Sequence, residues 1–356
     1  MHLESMGETQ AHHSCAFFAW HRRMLLALES YMRDLDPKFA CLTIPYYDVH
    51  SAYVNAANKK CKNMFDCSPI FQALGGAPVS QVQERAIYNG QSTGGVAVKG
   101  APFTSSCDDN NKLCGAMLRN DLTKKSVPSG AGFSTFLAIV TRSKDYATFL
   151  EGIQFGLHNE IHNAIGGTMS TLASPSDVIF FSWHGAIDMY LSAFHQCHLG
   201  SGHKADPTSR QAFTLATQTC GGVSGVGADT KVYQRFKING KLVDASQHPK
   251  LGKYFAKLGD TMGQFGDTTT LGEFSYSYEF PSIITTQILS NKDPTVAPHT
   301  GIVVVPETTA PSATTKAPAT TKPSAYGYGF DDTYDSSDEA NSSHGSGSGS
   351  TSSAYA

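Results

Sequence analysis

Apolar residues recur at helical spacing in three stretches of this chain. Between residues 14 and 35 (SCAFFAWHRRMLLALESYMRDL), Phe17, Met24, Leu28 and Tyr31 fall on one side of a 3.6-residue period. The spacing predicts an amphipathic helix, with Ser14 available to cap its start and Pro37 beyond its end. Residues 143–166 carry the same periodicity up to Gly166-Gly167. Residues 176–198 form the third helical stretch, opened by Ser174-Pro175-Ser176-Asp177. Residues 50–135 are rich in Gly, Asn, Ser and Pro and include cysteines, so long disulfide-pinned loops with short helices are expected there. Beyond residue 230 the pattern shortens: KVYQRFKINGKLVDA, with its Asn239-Gly240 pair, predicts a β-hairpin. After about residue 300 the chain turns Thr/Pro-rich, then Ser/Gly/Tyr-rich and acidic. Such composition buries too little apolar surface to fold. The Thr/Pro bias reads as an O-glycosylated spacer, and Asn341-Ser342-Ser343 is an N-glycosylation sequon.

At 356 residues and 40% hydrophobic, the chain can bury one large core or two modest ones. Its net charge is -3. The two lysines and six acids of residues 306–356 leave the remainder close to neutral, so nothing draws it to nucleic acid or an anionic membrane. No apolar run reaches the roughly 18 residues of a membrane span, and no signal peptide is visible. Eight cysteines, with the close pairs Cys61/Cys67 and Cys107/Cys114 in turn-rich sequence, read as disulfides. The partners of the other four stay open, and no C-x-x-C suggests a zinc site. Disulfides imply an oxidising compartment, hence a secreted protein. Because Met1-His2-Leu3 begins abruptly, the N-terminus is expected to be incomplete.

The histidines carry the chemistry. His158 and His162, in LHNEIHN, are four apart and share one helix face, and His184 lies on the next helix. His12 and His21 flank the start of the first helix, with His2 upstream and His13 pointing elsewhere. Neutral imidazole suits copper, zinc, iron and nickel. Three imidazoles leave an open position on a metal, which is a reactive arrangement. The H-E-x-x-H order of zinc proteases is absent, since Glu160 falls on another face.

The residues around these histidines resemble the tyrosinase family of type-3 copper proteins. His12-x4-Phe17-Phe18-x-Trp20-His21-Arg22-x2-Leu25-x3-Glu29 is similar to the family's first copper motif, and Asp177-x2-Phe180-Phe181-x2-His184-x3-Asp188 to the second. Ile44-Pro45-Tyr46-Tyr47-Asp48, Leu150-Glu151-Gly152, Ile165-Gly166-Gly167 and Tyr276-Ser277-Tyr278 match further family segments. The resemblance spans roughly residues 1–280. It implies a mainly α fold, a four-helix bundle holding a dicopper centre, with long disulfide-pinned loops, a small β element and a disordered C-terminal tail. The division implied is a dicopper domain over 1–290 and a tail over 291–356. The first copper would take His2, His12 and His21, and the second His158, His162 and His184. With dioxygen as co-substrate, the pair would oxidise small phenols or protein tyrosines to o-quinones. A haemocyanin-like oxygen carrier, or a catechol oxidase without monophenolase activity, is the alternative. Glu151 and Asn159 match residues that hold a proton-accepting water in the family, and Phe180 would wall the substrate pocket. This chain departs from the family at Val178, Trp183, Met189 and Leu191, and Gln10 stands where some relatives form a cysteine–histidine thioether.

Overall fold

The computed structural model describes residues 10–75, 77–199, 218–220 and 223–286. His2, the Asn341 sequon and the tail over 291–356 lie outside the described residues. The first periodic stretch becomes helix α1, Phe17–Arg33, with every residue from Phe17 to Ala27 buried. It starts three residues after Ser14, whose Oγ accepts from the Ala16 N–H at 3.2 Å rather than capping the helix itself. Helix α2 is Val49–Ala57, with Asp48 Oδ1 accepting from the Ser51 N–H at 3.0 Å as its cap.

Residues 50–135, expected as loops, contain a sheet. Strands β1 (Pro78–Tyr88), β2 (Gln91–Lys99) and β3 (Ala116–Arg119) pair antiparallel in that order. Asn89 and Gly90, both at positive φ (50° and 76°), turn β1 into β2 as a two-residue hairpin demands. The strand pattern is weak in sequence because much of β1 is exposed and only Ala86 and Tyr88 on it are buried. The sheet has its own small core of Tyr88, Val98, Phe103, Met117 and Leu118.

Helix α3 is Phe133–Arg142. The second periodic stretch is not one helix but two, α4 (Tyr146–Gly152) and α5 (Asn159–Ile165), joined through a wide π-helical turn over Ile153–His158. The third stretch is α6, Ile179–Leu199, and Asp177 Oδ1 accepts from the Ile179 N–H at 3.1 Å, as the sequence predicted for its start. The Asn239-Gly240 hairpin also forms, between β4 (Arg235–Ile238) and β5 (Lys241–Asp244).

The α1, α2, α4–α5 and α6 segments make the four-helix bundle. Aromatic stacking holds it: Phe18 lies on Phe149 (5.8 Å) and Phe149 on Phe194 (4.0 Å), both nearly parallel, linking α1, α4 and α6. Tyr146 donates its hydroxyl to the Cys15 carbonyl at 2.8 Å, and the Tyr47 N–H donates to the Ser182 carbonyl at 2.9 Å. Among the described residues three disulfides form: Cys61–Cys67 and Cys107–Cys114, the two close pairs, and Cys15–Cys220. An even count did not mean complete pairing, since Cys41 is exposed and unbridged. No described helix is long and apolar enough to cross a membrane.

One buried ion pair fastens sheet to bundle. Arg119, on β3, donates from Nε and Nη2 to the two Asp177 oxygens at 2.7 Å, and from Nη1 to the Gly75 carbonyl at 2.8 Å. Its guanidinium lies between the rings of Phe71 and Phe103, each 5.4 Å away. Removing one partner strands a charge in the interior, at a cost of about 3–5 kcal/mol. We therefore expect Arg119→Met to lower the unfolding free energy by about that amount in a denaturant titration. The double variant Arg119→Met/Asp177→Asn should recover part of the loss. A single-variant loss below about 1 kcal/mol, the range of an exposed pair, would show that the pair does not fasten the two layers.

Candidate metal centre

The bundle core converges on imidazoles. Helix α5 ends abruptly because Gly166 and Gly167 take positive φ (64° and 56°), and a Cβ on Gly167 would lie 2.1 Å from the Leu118 carbonyl oxygen. The chain thereby folds back so that the Met169 carbonyl lies 2.7 Å from His162 Nδ1. His158 Nδ1 faces Asn159 Oδ1 at 2.8 Å and the Gln154 carbonyl at 3.3 Å, and His21 Nδ1 faces the Phe17 carbonyl at 2.8 Å. Each of these oxygens can only accept, so each Nδ1 carries the proton and each Nε2 keeps its lone pair. That tautomer is the one a histidine needs to bind metal through Nε2.

His158, His162 and His184 are buried, and each brings a ring nitrogen within 4.8 Å of the others. His162 Nε2 and His184 Nε2 are 3.3 Å apart. Two nitrogens bound at about 2.0–2.1 Å with a near-tetrahedral angle stand about 3.3 Å from each other, so the spacing fits a shared metal. His158 Nε2 is buried with no hydrogen-bond partner in the protein, an arrangement that is costly for a polar atom unless a ligand satisfies it. Burial holds His158 well below the ordinary imidazole range, with His162 and His21 adding to the effect, and brings His162 down to about 4. Both rings are neutral near pH 7, as ligands must be.

The remaining imidazoles lie directly alongside. The His21 ring stacks on His184 at 4.0 Å and 9°. His12, partly buried, stands 5.4 Å from His21 and 5.7 Å from His158 between ring centroids. Five of the six histidines singled out from sequence therefore meet in one place, drawn from α1 and the segment before it, the π turn, α5 and α6. An all-imidazole donor set of this kind suits copper.

Aromatic rings enclose the cluster. Phe180 is fully buried with its ring 4.2 Å from His184, 6.1 Å from His21 and 6.0 Å from His162. Phe17 packs at 4.9 Å from His21 and 5.1 Å from His158. Sequence reasoning noted Phe17 as a helix-face residue and part of a motif, yet its ring packs on histidines from both clusters and its carbonyl orients His21. Its position four before His21 was the available signal. Trp183 is buried beside Tyr47 (6.1 Å) and Tyr190 (6.3 Å). Gln10 binds through its side-chain amide to the backbone of Lys231 and Tyr233.

Asn159 and Glu151 part company. Asn159 touches His158, whereas Glu151 is exposed on α4. Glu151 precedes His158 by seven residues, a spacing that a regular helix would return to the same face. The wide turn, with Gly156 at φ −92°, ψ −107°, breaks that phase. Within the turn, Gln154 is buried along with His158.

A model of the common central domain of tyrosinase matches residues 1–197. The chain belongs to the tyrosinase family of type-3 copper proteins, and the buried histidine cluster fits that class. It is 29% identical over 212 residues to a tyrosinase of Streptomyces glaucescens, covering 55% of this chain and 68% of that protein. It is likewise 29% identical over 210 residues to a tyrosinase of Streptomyces antibioticus, at 55% and 68%. A polyphenol oxidase structure from Thermothelomyces thermophila aligns with a TM-score of 0.40 at 22% identity, over 59% of this chain and 61% of that one. The family implies a dicopper centre.

His184→Ala should halve the copper bound per chain after reconstitution, measured by elemental analysis, while a control substitution at the exposed His13 leaves it unchanged. Full copper content in His184→Ala would remove His184 from the ligand set.

Proposed function

We propose that the chain is a copper-dependent phenol oxidase that converts o-diphenols, and monophenols to a lesser extent, to o-quinones with dioxygen. The observation carrying this reading is the convergence of His12, His21, His158, His162 and His184, with the His162 and His184 Nε2 atoms 3.3 Å apart. We assign His12 and His21 to the first copper, with His2 as the expected third ligand, and His158, His162 and His184 to the second. The copper pair, when bound, supplies the electron transfer between phenol and dioxygen.

The protein's part is orientation, dryness and proton handling. The carbonyls of Phe17, Gln154 and Met169 fix ring planes. Phe17 and Phe180 keep water from the cluster, which strengthens every polar interaction inside it. A monophenol has an ordinary pKa of about 10 and must lose its proton to become a good copper ligand. Asn159 is the side chain we assign to holding the accepting water, with its amide already at His158. Glu151, the other residue matched to that task, faces solvent. This exposure is the observation that favours diphenol oxidation over monophenol hydroxylation. Three disulfides support a place outside the cell. We further propose residues 1–290 as the catalytic domain and 291–356 as a spacer tail.

The test is oxygen consumption by the copper-loaded full chain with catechol and with tyrosine. Catechol should turn over at least tenfold faster than tyrosine. Asn159→Ala should lower the tyrosine rate more than the catechol rate. Reversible dioxygen binding with neither substrate oxidised would point instead to an oxygen carrier.

A further inference from the structure

An exposed aromatic pair lies on the two chain segments that carry His12 and His158. Phe155 is 46% exposed, an unusual state for a phenylalanine. It sits in the π turn three residues before His158. Its ring meets that of His13 edge-on at 5.0 Å. His13 is itself exposed and directly follows His12. The two rings thus belong to the two segments that present His12 and His158, whose own rings are 5.7 Å apart.

Both segments are bent locally to make this meeting. His13 has φ 57°, a left-handed conformation that side-chain-bearing residues seldom take. Gly156, next to Phe155, has the non-helical angles that open the turn, and a Cβ built there would meet nothing within 4 Å. The surface next to Phe155 is therefore open enough for a small molecule to approach. Unusual backbone on both sides of one contact, adjacent to ligands, is the kind of local cost that persists at functional sites. Folding gains little from it, because the ring that is presented stays half in water.

We infer that Phe155 and His13 form an aromatic rim at the mouth of the histidine cluster, which stacks against the phenol ring as it enters and selects flat aromatic substrates. The ring faces supply contact for a planar π system, with edge-to-face or offset geometry open to it. A saturated ring of the same size gains no such contact. The inference rests on the phenol-oxidase reading for its substrate class, but its binding arm is independent of turnover.

The test uses copper-loaded full chain carrying Phe155→Ala, Phe155→Tyr or His13→Asn, the last keeping a residue tolerant of positive φ. Catechol KM and kcat are measured in air. Binding of benzoate and of cyclohexanecarboxylate, equal in charge and differing in planarity, is measured by calorimetry without dioxygen. Phe155→Ala should raise the catechol KM and the benzoate Kd roughly three- to tenfold, the range of one aromatic contact. It should leave kcat, copper content, Tm and cyclohexanecarboxylate binding unchanged. Phe155→Tyr should behave as wild type, and His13→Asn should show a smaller shift in the same direction. Unchanged benzoate binding in Phe155→Ala, equal loss for both acids, or a fall in Tm with loss of copper would overturn the rim. Wild-type chain that oxidises no catechol would refute the phenol-oxidase reading, while the benzoate comparison still decides the rim.

Discussion

The structure is organised around the fixing of imidazole rings by backbone carbonyls. A histidine that donates Nδ1–H to a carbonyl can only turn its Nε2 lone pair the other way. Here His21 and His158 use carbonyls four residues upstream on their own segments, and His162 uses one supplied by the chain after its helix has ended. His158 Nε2, buried and without a hydrogen-bond partner, and the 3.3 Å spacing of His162 Nε2 and His184 Nε2 are what a bound cation would account for. The bundle supplies the rigidity, and its burial keeps the His158 and His162 rings uncharged.

The same logic explains the charged residues inside α1. Arg22 and Arg23 directly follow His21 on a helix whose first three turns are enclosed. Arg22 is answered by Asp188 at 2.7 Å and by the Phe265 carbonyl, and Asp188 in turn accepts from Tyr276 and Tyr278. Burial and the Asp188 charge raise both tyrosines well above their usual range, so they remain hydroxyl donors. Arg23 donates to the Val232 carbonyl, and Gln234 reaches the Trp20 carbonyl at 2.6 Å. Segments more than two hundred residues away are thus bound to the helix that carries His21, and the Cys15–Cys220 bridge adds a covalent tie six residues before that ligand. Closing so long a loop restricts the unfolded chain by about 5 kcal/mol in the chain-entropy picture.

Much of this was legible in the residues. Helices α1 and α6, the Asn239-Gly240 hairpin and two disulfides follow from periodicity and turn chemistry, and the five converging histidines from the resemblance of their surrounding motifs to a known family. The three-stranded sheet did not, although Asn89-Gly90 announces its hairpin, because polar residues on an exposed face erase the alternation that marks a strand. Cys15–Cys220 was invisible because pairing across a fold depends on topology rather than on distance along the chain. The solvent-facing position of Glu151 was missed for a different reason. Its match to a motif is intact, but a motif read as letters carries no information about the pitch of the helix it lies on.

That pitch has a wider consequence. A single widened turn rotates everything before it by about 100° relative to everything after it. The turn at Ile153–His158 therefore separates two parts of one segment that can be retuned independently. Downstream, His158 and His162 stay in place. Upstream, one residue gained or lost would swing a different side chain toward the histidine cluster. Such a joint lets insertions and deletions, rather than substitutions, change which side chains border the histidine cluster while the cluster itself is retained.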